Sequence, residues 1–225
     1  MSSRRSDART SEPIAPADPD IGEDLLDGKL PKALSGAEIS GSEIAAQSLT
    51  SIDASAVRVS DSRISDVDFA DGEFARCSIW DVIWAGGTLA NVRAMDSNLR
   101  RVRFSDVRAT GLNLAGSTLE DVSFVSCRLD LSNFRMAKLE RIRFEGCRME
   151  EADFYESSLR SVVFDDCNLT DANWSGATFE RGEMRASDLS GSEGLESIRG
   201  VRMPWADVVR SANEIARAAG VEVLE

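Results

Sequence analysis

The cysteines are the residues whose type and spacing could carry chemistry in this chain. Cys127, Cys147 and Cys167 are separated by twenty residues, and Cys77 precedes them. Thiols repeated in this way could form a thiol relay or a site for a soft metal ion. The alternative is that cysteine, a small and readily buried residue, fills a packing position. No CxxC pair is present, and a single row of thiols offers no tetrahedral cage. We therefore interpret the cysteines as packing residues and predict no metal site.

Other catalytic groups are scarce. The chain has no histidine, which removes the commonest general base and metal ligand. Carboxylates are numerous, but none stands beside a nucleophile and a base, and no glycine-rich phosphate loop is present. The sequence therefore predicts a protein that is not an enzyme, with no catalytic residue and no cofactor.

The elements that position these residues repeat with a period of five. An uncharged, mostly apolar residue stands at every fifth position from Leu34 to Leu189, at 32 positions in all. We call these positions centres, and all nine phenylalanines occupy them. A period of five fits neither the alternation of a strand nor the 3.6-residue turn of a helix. It indicates a solenoid.

A second restricted position lies two residues before each centre. It is mostly small or β-branched, and it holds all four cysteines. Residues two apart in an extended chain point to the same side, so both positions should face inward and the residue between them outward. The two remaining residues, commonly Ser, Asp, Gly, Glu or Arg, must turn the chain.

Phrases such as LDLSNF, CNLTDANW and ASDLSG resemble the A(D/N)LxX signature of the pentapeptide-repeat family. The resemblance covers residues 34–190. It implies an all-β solenoid, a right-handed quadrilateral β-helix in which four pentapeptides form one square coil. For 32 repeats this gives about eight coils, closed by a C-terminal α-helical cap.

Centres twenty residues apart should then stack on one wall of the coil. This predicts one aromatic column of Phe104, Phe124, Phe144 and Phe164, and a second on the opposite wall of Phe134, Phe154 and Trp174. Ala54, Ala94 and Ala109 are undersized centres. We expect looser or slightly bent packing near residues 92–112.

The segments before the repeats are predicted to be a tail and a cap. Residues 1–20 are rich in Ser, Arg, Asp and Pro, which favours a disordered tail; the alternative is a short recognition arm. Residues 21–33 contain Leu25, Leu26 and Leu30. We expect them to form a short amphipathic turn that covers the open first coil.

The segment after the repeats, residues 191–225, is predicted to be a helical cap. Pro204 opens the helix and Gly220 ends it, and Val221–Leu224 could add an extended segment. The helix could cap the last coil, and it could also join two rods end to end. A similar arrangement makes dimers in the quinolone-resistance members of the family. The apolar residues proposed for that homodimer interface are Trp205, Val208, Val209, Ala212 and Ile215.

Patches of charge on the repeats are the candidate partner surface. At twenty-residue spacing, Arg108, Arg128 and Arg148 should form a stripe. These charged side chains could simply form a solvated face. Alternatively, they could form a docking surface for an acidic partner or a polar peptide. The other candidate residues are Arg101, Arg103, Asp66, Asp68, Asp71 and Glu73.

Composition bounds the location and the partner. A net charge of −13 argues against direct binding of nucleic acid or of acidic membranes. No run of about 20 apolar residues is present, and the start lacks a secretory signal, so we expect a cytoplasmic protein. The function indicated is a rigid protein–protein interaction scaffold. The alternative, implied by the resemblance, is a DNA mimic that binds DNA gyrase, a type II topoisomerase, and confers quinolone resistance.

Overall fold

The computed structural model describes residues 12–30 and 33–223. These residues form a parallel β-solenoid of about eight turns, in which each strand pairs with the strand one coil away. The register places partners twenty residues apart, as in Val82↔Val102 and Phe104↔Phe124. The strands are β1 (Leu26–Asp27), β2 (Glu38–Ser40), β3 (Ser42–Ala45), β4 (Arg58–Ser65), β5 (Ser78–Ala85), β6 (Asn98–Ser105), β7 (Thr118–Val125), β8 (Lys138–Glu145), β9 (Ser158–Asp165), β10 (Thr178–Glu180) and β11 (Glu183–Arg185).

Each coil has four walls. The strands β4 to β9 bend at their fourth residue, for example at Asp81 in β5, and so supply two walls. The other two walls carry one bridged residue per coil, such as Asp68↔Thr88 and Glu73↔Arg93. The square coil of twenty residues expected from the sequence is therefore confirmed.

The corners are made by residues in the left-handed conformation. A positive φ occurs at every fifth residue from Gly36 to Gly191, two residues after each centre. Asp or Gly occupies seventeen of these 32 corners, because glycine has no Cβ to clash there and a short Asp side chain tolerates the conformation. The abundance of Asp and Gly among the turn residues indicated left-handed corners. The period of five alone did not show which of the two turn residues would be left-handed.

The outward Asp and Asn residues of the signature have a structural use on the two bridged walls. Each accepts a hydrogen bond from the backbone N–H two residues later, as in Ala115 N–H to Asn113 at 3.0 Å and Tyr155 N–H to Asp153 at 2.9 Å. This side-chain turn satisfies a backbone donor just before the corner. It explains the preference for Asp and Asn without any binding role.

The centres form one continuous core. All of them are buried except Ile39, Leu49 and Phe179, which are half-buried. The two predicted aromatic columns are confirmed: rings stack at 4.9, 5.1 and 4.9 Å along Phe104, Phe124, Phe144 and Phe164. In the second column the spacings are 5.0 Å for Phe134 to Phe154 and 4.5 Å for Phe154 to Trp174.

The undersized centre Ala94 lies beside an internal cavity of about 30 Å³. Its lining is entirely apolar and includes Val92, Trp84, Phe104 and Leu112. This agrees with looser packing near residues 92–112. The strands β5, β6 and β7 keep their register past it without interruption, so the missing volume is left as a void between side chains.

The N-terminal segments differ from the sequence-based expectation. The cap contains a short strand in place of an amphipathic turn: β1 pairs with β3, and Leu26 N–H donates to Gly41 O at 2.9 Å. The open edge of the first coil offers unpaired backbone groups, which favour an extended partner. Residues 12–20 lie along the outside of the rod, with Ala17 N–H donating to Asp121 at 3.0 Å. The part of the predicted tail that remains, residues 1–11, lies outside the described residues.

The C-terminal cap contains a 3₁₀ turn (Leu195–Ser197) and two short helices, α1 (Trp205–Arg210) and α2 (Ala212–Ala218), separated at Ser211. The single predicted helix is thus interrupted. Val221–Val223 adopt no regular structure, and Leu224 lies outside the described residues. The cap replaces hydrogen bonds that a further coil would supply: Asp207 Oδ2 accepts from the corner N–H of Ala186 at 2.8 Å.

Asp207 also lies on the side of α1 that faces the rod. Asp207 and Ser211 are buried, whereas Trp205 is 77% exposed and Val209 is 56% exposed. The side of α1 that faces the rod thus carries Asp207, which satisfies a corner N–H that has no further coil to bond to.

Filling the cavity should stabilise the rod. Ala94→Val adds two methyl groups beside the void, and we expect the free energy of unfolding to rise by about 1 kcal/mol. The matched control is Ala109→Val, an alanine centre that is buried but does not line the cavity. It should lower stability, because that site has no free volume. Urea unfolding of both variants measures the difference, and equal effects would contradict the role of the void.

Candidate functional site

The cysteines lie in the core, as packing residues would. All four are free and buried, and the thiols of Cys147 and Cys167 lie 3.4 and 3.6 Å from the carbonyl oxygens of Phe124 and Phe144, one coil earlier. Burial raises the pKa of the Cys77 thiol to about 11. The neighbouring thiols of Cys127 and Cys167, together with burial, raise the pKa of Cys147. Cys77 and Cys147 therefore remain protonated thiols near neutral pH, and a thiol is a poor nucleophile and a poor metal ligand. Hydrogen bonding with the Cys147 thiol lowers the pKa of Cys127 and of Cys167, but both side chains are buried.

The interior offers little room for chemistry. The cavity beside Ala94 is apolar, and its volume is that of about one or two water molecules. Among residues 12–30 and 33–223, no group of three or more His, Cys, Asp or Glu side chains is placed to hold a metal ion. Over the same residues, no helix is both long and apolar enough to cross a membrane.

One wall carries the predicted stripe of arginines. Arg108, Arg128 and Arg148 follow one another in successive coils, joined by backbone bridges, and all three are exposed. Adjacent coils in a parallel sheet are about 4.8 Å apart, so three positive charges stand within about 10 Å. We call this face the arginine wall. Its central column also contains Asp68, Thr88, Asn168 and Asp188.

Acidic corners border the arginine wall on both sides. One edge carries Asp66, Asp106 and Asp166, and the other carries Asp71, Glu151 and Asp171; all six have positive φ and are exposed. Arg148 lies 3.6 Å from Asp130 and 3.8 Å from Glu150. Within the described part of the chain, Arg108 and Arg128 form no ion pair. Beside the three arginines themselves, the acidic corners are Asp106 and Glu151, and the other four corners are Gly111, Ser126, Leu131 and Gly146. The wall is thus a basic strip, two of whose guanidinium groups have no ion pair among the described residues, with further acidic corners in the coils before and after it.

The remaining predicted partner residues lie elsewhere. Glu73 stands on the next wall, where it pairs with Arg93 at 2.7 Å. Arg101 and Arg103 belong to the bend and second half of β6, on a different side of the rod. Arg101 pairs with Asp81, and Arg103 pairs with Asp18 of the N-terminal segment. The structure therefore brings together Asp66, Asp68, Asp71, Arg108, Arg128 and Arg148, and separates the other three.

The bends of β5 to β8 hold a charge ladder that the sequence reasoning missed. Asp81, Arg101, Asp121 and Arg141 alternate in sign at twenty-residue spacing. Arg101 Nε donates to Asp81 at 2.6 Å, and Arg141 Nε donates to Asp121 at 2.7 Å. We call these four residues the corner ladder. Reading the second turn residue at steps of twenty would have found it.

The two carboxylates of the corner ladder are buried and are paired with its half-buried arginines. Asp81 is 4% exposed and Asp121 is 7% exposed. The hydrogen bonds from Arg101 lower the pKa of Asp81. Burial alone would raise the pKa of Asp121, but the hydrogen bonds from Arg141 and from Ala17 N–H outweigh it, and its pKa is lowered. Both carboxylates are therefore ionised acceptors at neutral pH.

The predicted dimer residues form an apolar surface of mixed exposure on the C-terminal cap. Trp205, Val209 and Ala212 are exposed, and Val208 and Ile215 are half-buried. Trp205 and Val209 are among the large hydrophobic side chains that the described surface leaves most open to solvent.

A square parallel solenoid with a filled core and polar walls defines a class of repeat protein in which function resides on the outside. The model for the pentapeptide repeat region matches residues 77–154 and 117–193 of this chain. These overlapping matches cover more than half of the sequence, and the chain belongs to the pentapeptide repeat family. No curated protein sequence matches the chain.

Solved structures with the same fold include QnrB1, described as a plasmid-mediated fluoroquinolone resistance protein. Full-length QnrB1 is 17% identical, with a TM-score of 0.52 over 81% of this chain and 96% of that one. A trypsin-treated QnrB1 variant is 18% identical, with a TM-score of 0.51 over 85% and 92%. HetL, a pentapeptide repeat protein involved in heterocyst differentiation regulation from the cyanobacterium Nostoc sp. strain PCC 7120, is 16% identical, with a TM-score of 0.37 over 76% and 90%.

Proposed function

We propose that this protein is a non-enzymatic, cytoplasmic scaffold that binds a protein partner through the arginine wall. The observation that carries the proposal is the exposed stripe of Arg108, Arg128 and Arg148, two of which have no ion pair among the described residues. Like charges stacked in adjacent strands repel one another. A stripe in which two of the three arginines have no ion pair among the described residues suits a partner that brings the negative charge.

The geometry favours a flat or extended acidic partner. Arginine side chains spaced by about 4.8 Å can each take a carboxylate in a two-pronged hydrogen bond. The acidic corners at Asp66, Asp71, Asp106 and Asp166 would repel a partner whose negative charges lie outside the central column, and so they set its alignment.

Removing the stripe should abolish partner binding without unfolding the rod. The test variant is Arg108→Ser, Arg128→Ser, Arg148→Ser, and the charge-matched control replaces three exposed arginines elsewhere, Arg58, Arg76 and Arg199, by Ser. Affinity capture from cytoplasm, quantified by mass spectrometry, should show partners that wild type and control retain and the stripe variant loses at least tenfold. Equal retention by both variants would refute the arginine wall as the docking surface. Thermal unfolding serves as the folding control.

A second function is favoured by the acidic character of the chain and its similarity in fold to QnrB1. In this alternative the rod is a DNA mimic that binds DNA gyrase, a type II topoisomerase, and confers quinolone resistance. Its support is the net charge of −13 and the exposed acidic corners, while the arginine wall interrupts any continuous negative surface.

A gyrase assay separates the two functions. If the rod is a mimic, added protein should inhibit DNA supercoiling or reduce fluoroquinolone-stabilised DNA cleavage, and the effect should weaken as salt rises. Neutralising Asp66, Asp106 and Asp166 to Asn should weaken it further, whereas the arginine-stripe variant should not. No effect of the wild-type protein at any concentration up to about 100 times that of gyrase would exclude this second function.

The rod would act as a homodimer joined through the C-terminal cap. The support is the exposed pair Trp205 and Val209 next to Ala212, since an aromatic anchor among apolar neighbours is typical of interface cores.

A charge placed in this surface should separate the dimer. We expect wild type to run as a dimer in size-exclusion chromatography with light scattering, and Trp205→Asp to run as a monomer. Met136→Asp is the matched control, because Met136 is 55% exposed at a corner of the rod that is far from the cap in sequence. A monomer for wild type, or a dimer for all three proteins, would contradict this interface.

A further inference from the structure

The segment 12–20 lies along the corner ladder and contacts it at regular intervals. Ala17 N–H donates to Asp121 Oδ1 at 3.0 Å, and Asp20 N–H donates to Asp81 Oδ1 at 3.0 Å. The donors are three residues apart in the segment, and the acceptors are forty residues, or two coils, apart in the rod. The segment thus runs along the rod axis, against the direction in which the coils advance.

The segment repeats every three residues in both sequence and burial. It reads EPI-APA-DPD, with Pro13, Pro16 and Pro19 in the middle of each triplet. These three prolines are half-buried, and the other six residues are exposed. Three residues per turn is the period of a polyproline II helix, whose turn rises about 9.3 Å. Two coils of a parallel sheet rise about 9.6 Å, so the two repeats match.

The first residue of each triplet adds charge complementarity. Asp18 pairs with Arg103 of β6, and Glu12 lies 3.6 Å from Arg202, which is bridged to Glu183. The position between them is Ala15. By the same step of two coils it corresponds to Arg143, which pairs instead with Glu145 and Asp165 at 2.8 Å each.

We propose that the corner ladder and its flanking arginines form a binding site for acidic, proline-rich peptides in the polyproline II conformation. In the free protein, residues 12–20 fill this site. The triplets of the ligand supply acidic residues to the flanking arginines and prolines to the surface, and two of them supply a backbone N–H to Asp121 and Asp81. The partner is a segment of another protein with this acidic-Pro-x pattern, which competes with the chain's own segment. This inference goes beyond the proposed function, because the site lies away from the arginine wall.

The contacts suit an occupant that can be exchanged. The segment is held by two backbone hydrogen bonds, by ion pairs in which Asp18 and Glu12 are 77% and 79% exposed, and by three half-buried prolines. Ion pairs between such exposed groups are weak. Tethering supplies an effective concentration of about 1 mM, which keeps the site filled until a better-matched peptide is present.

The experiment measures binding of a fluorescent peptide, EPIAPADPD with blocked ends, to the full-length chain. In the host variant Pro13→Ala, Pro16→Ala, Pro19→Ala, the chain's own segment loses its preorganised conformation and the site is freed. We expect the peptide to bind this host at least tenfold more tightly than wild type. Ile14→Ala, which alters an exposed residue of the segment and keeps the prolines, is the control and should exclude the peptide as wild type does.

Three further variants test the details. Asp121→Ser in the host should abolish binding, whereas Asp106→Ser, at an exposed corner of another column, should not. A peptide with Glu at the position of Ala15 should bind about two- to fivefold more tightly, because it offers Arg143 a carboxylate. A peptide with the same residues but prolines out of the three-residue register should not bind.

The outcomes are distinct. Binding that is absent from the freed host, equal in host and wild type, or unaffected by scrambling the prolines would overturn the proposal. Hydrogen exchange on unmodified protein gives an independent readout: the amides of Ala17 and Asp20 should exchange more slowly than that of Ala15, and excess Glu-containing peptide should remove the protection. Unprotected amides at Ala17 and Asp20 would also overturn it.

Discussion

Every coil of this rod depends on the backbone hydrogen bonds that join it to the next coil. Even the left-handed corners take part: Asp106 N–H donates to Val125 O at 3.0 Å, and Ser126 N–H donates to Glu145 O at 2.8 Å. A corner residue can therefore be satisfied only if another coil, or a substitute, follows it. This constraint explains the two ends of the molecule. β1 supplies backbone partners to the first coil, and Asp207 and Ser197 supply side-chain oxygens to Ala186 and Gly176 after the last.

The same constraint decides how much could be predicted from the sequence. The burial of the centres and the stacking of Phe104 on Phe124 follow from a period of five and a coil of twenty, so they were readable from residue types alone. The cap was not. Trp205, Val209 and Ala212 have helical spacing, and hydrophobic patterning alone would turn them inward. The need of one backbone N–H for an acceptor outweighs that pattern, and it becomes visible only when the end of the last coil is known.

The sequence predicted which charged residues stack on one another at twenty-residue spacing. It did not predict which of them pair with residues on other walls. The stripe of Arg108, Arg128 and Arg148 followed directly from twenty-residue spacing. Arg101, Arg103 and Arg108 are close in sequence but do not form one surface, because they face different sides of the rod. Arg101 and Arg103 are taken up by Asp81 and Asp18, and Arg108 is left to solvent. The contacts of residues 12–20 could not be foreseen either, since they depend on a match between the rise of an extended segment and the spacing of coils.

The alternation of charge along the corner ladder limits how such a rod can grow by duplication. Copying or deleting a single coil within it would place Arg beside Arg or Asp beside Asp, at the spacing of adjacent strands. Copying two coils would preserve every opposite-sign neighbour. The segment alongside advances by one triplet over the same distance, so three residues of segment match forty residues of rod. Length variation among proteins built on this plan should therefore come in pairs of coils wherever a corner ladder is present.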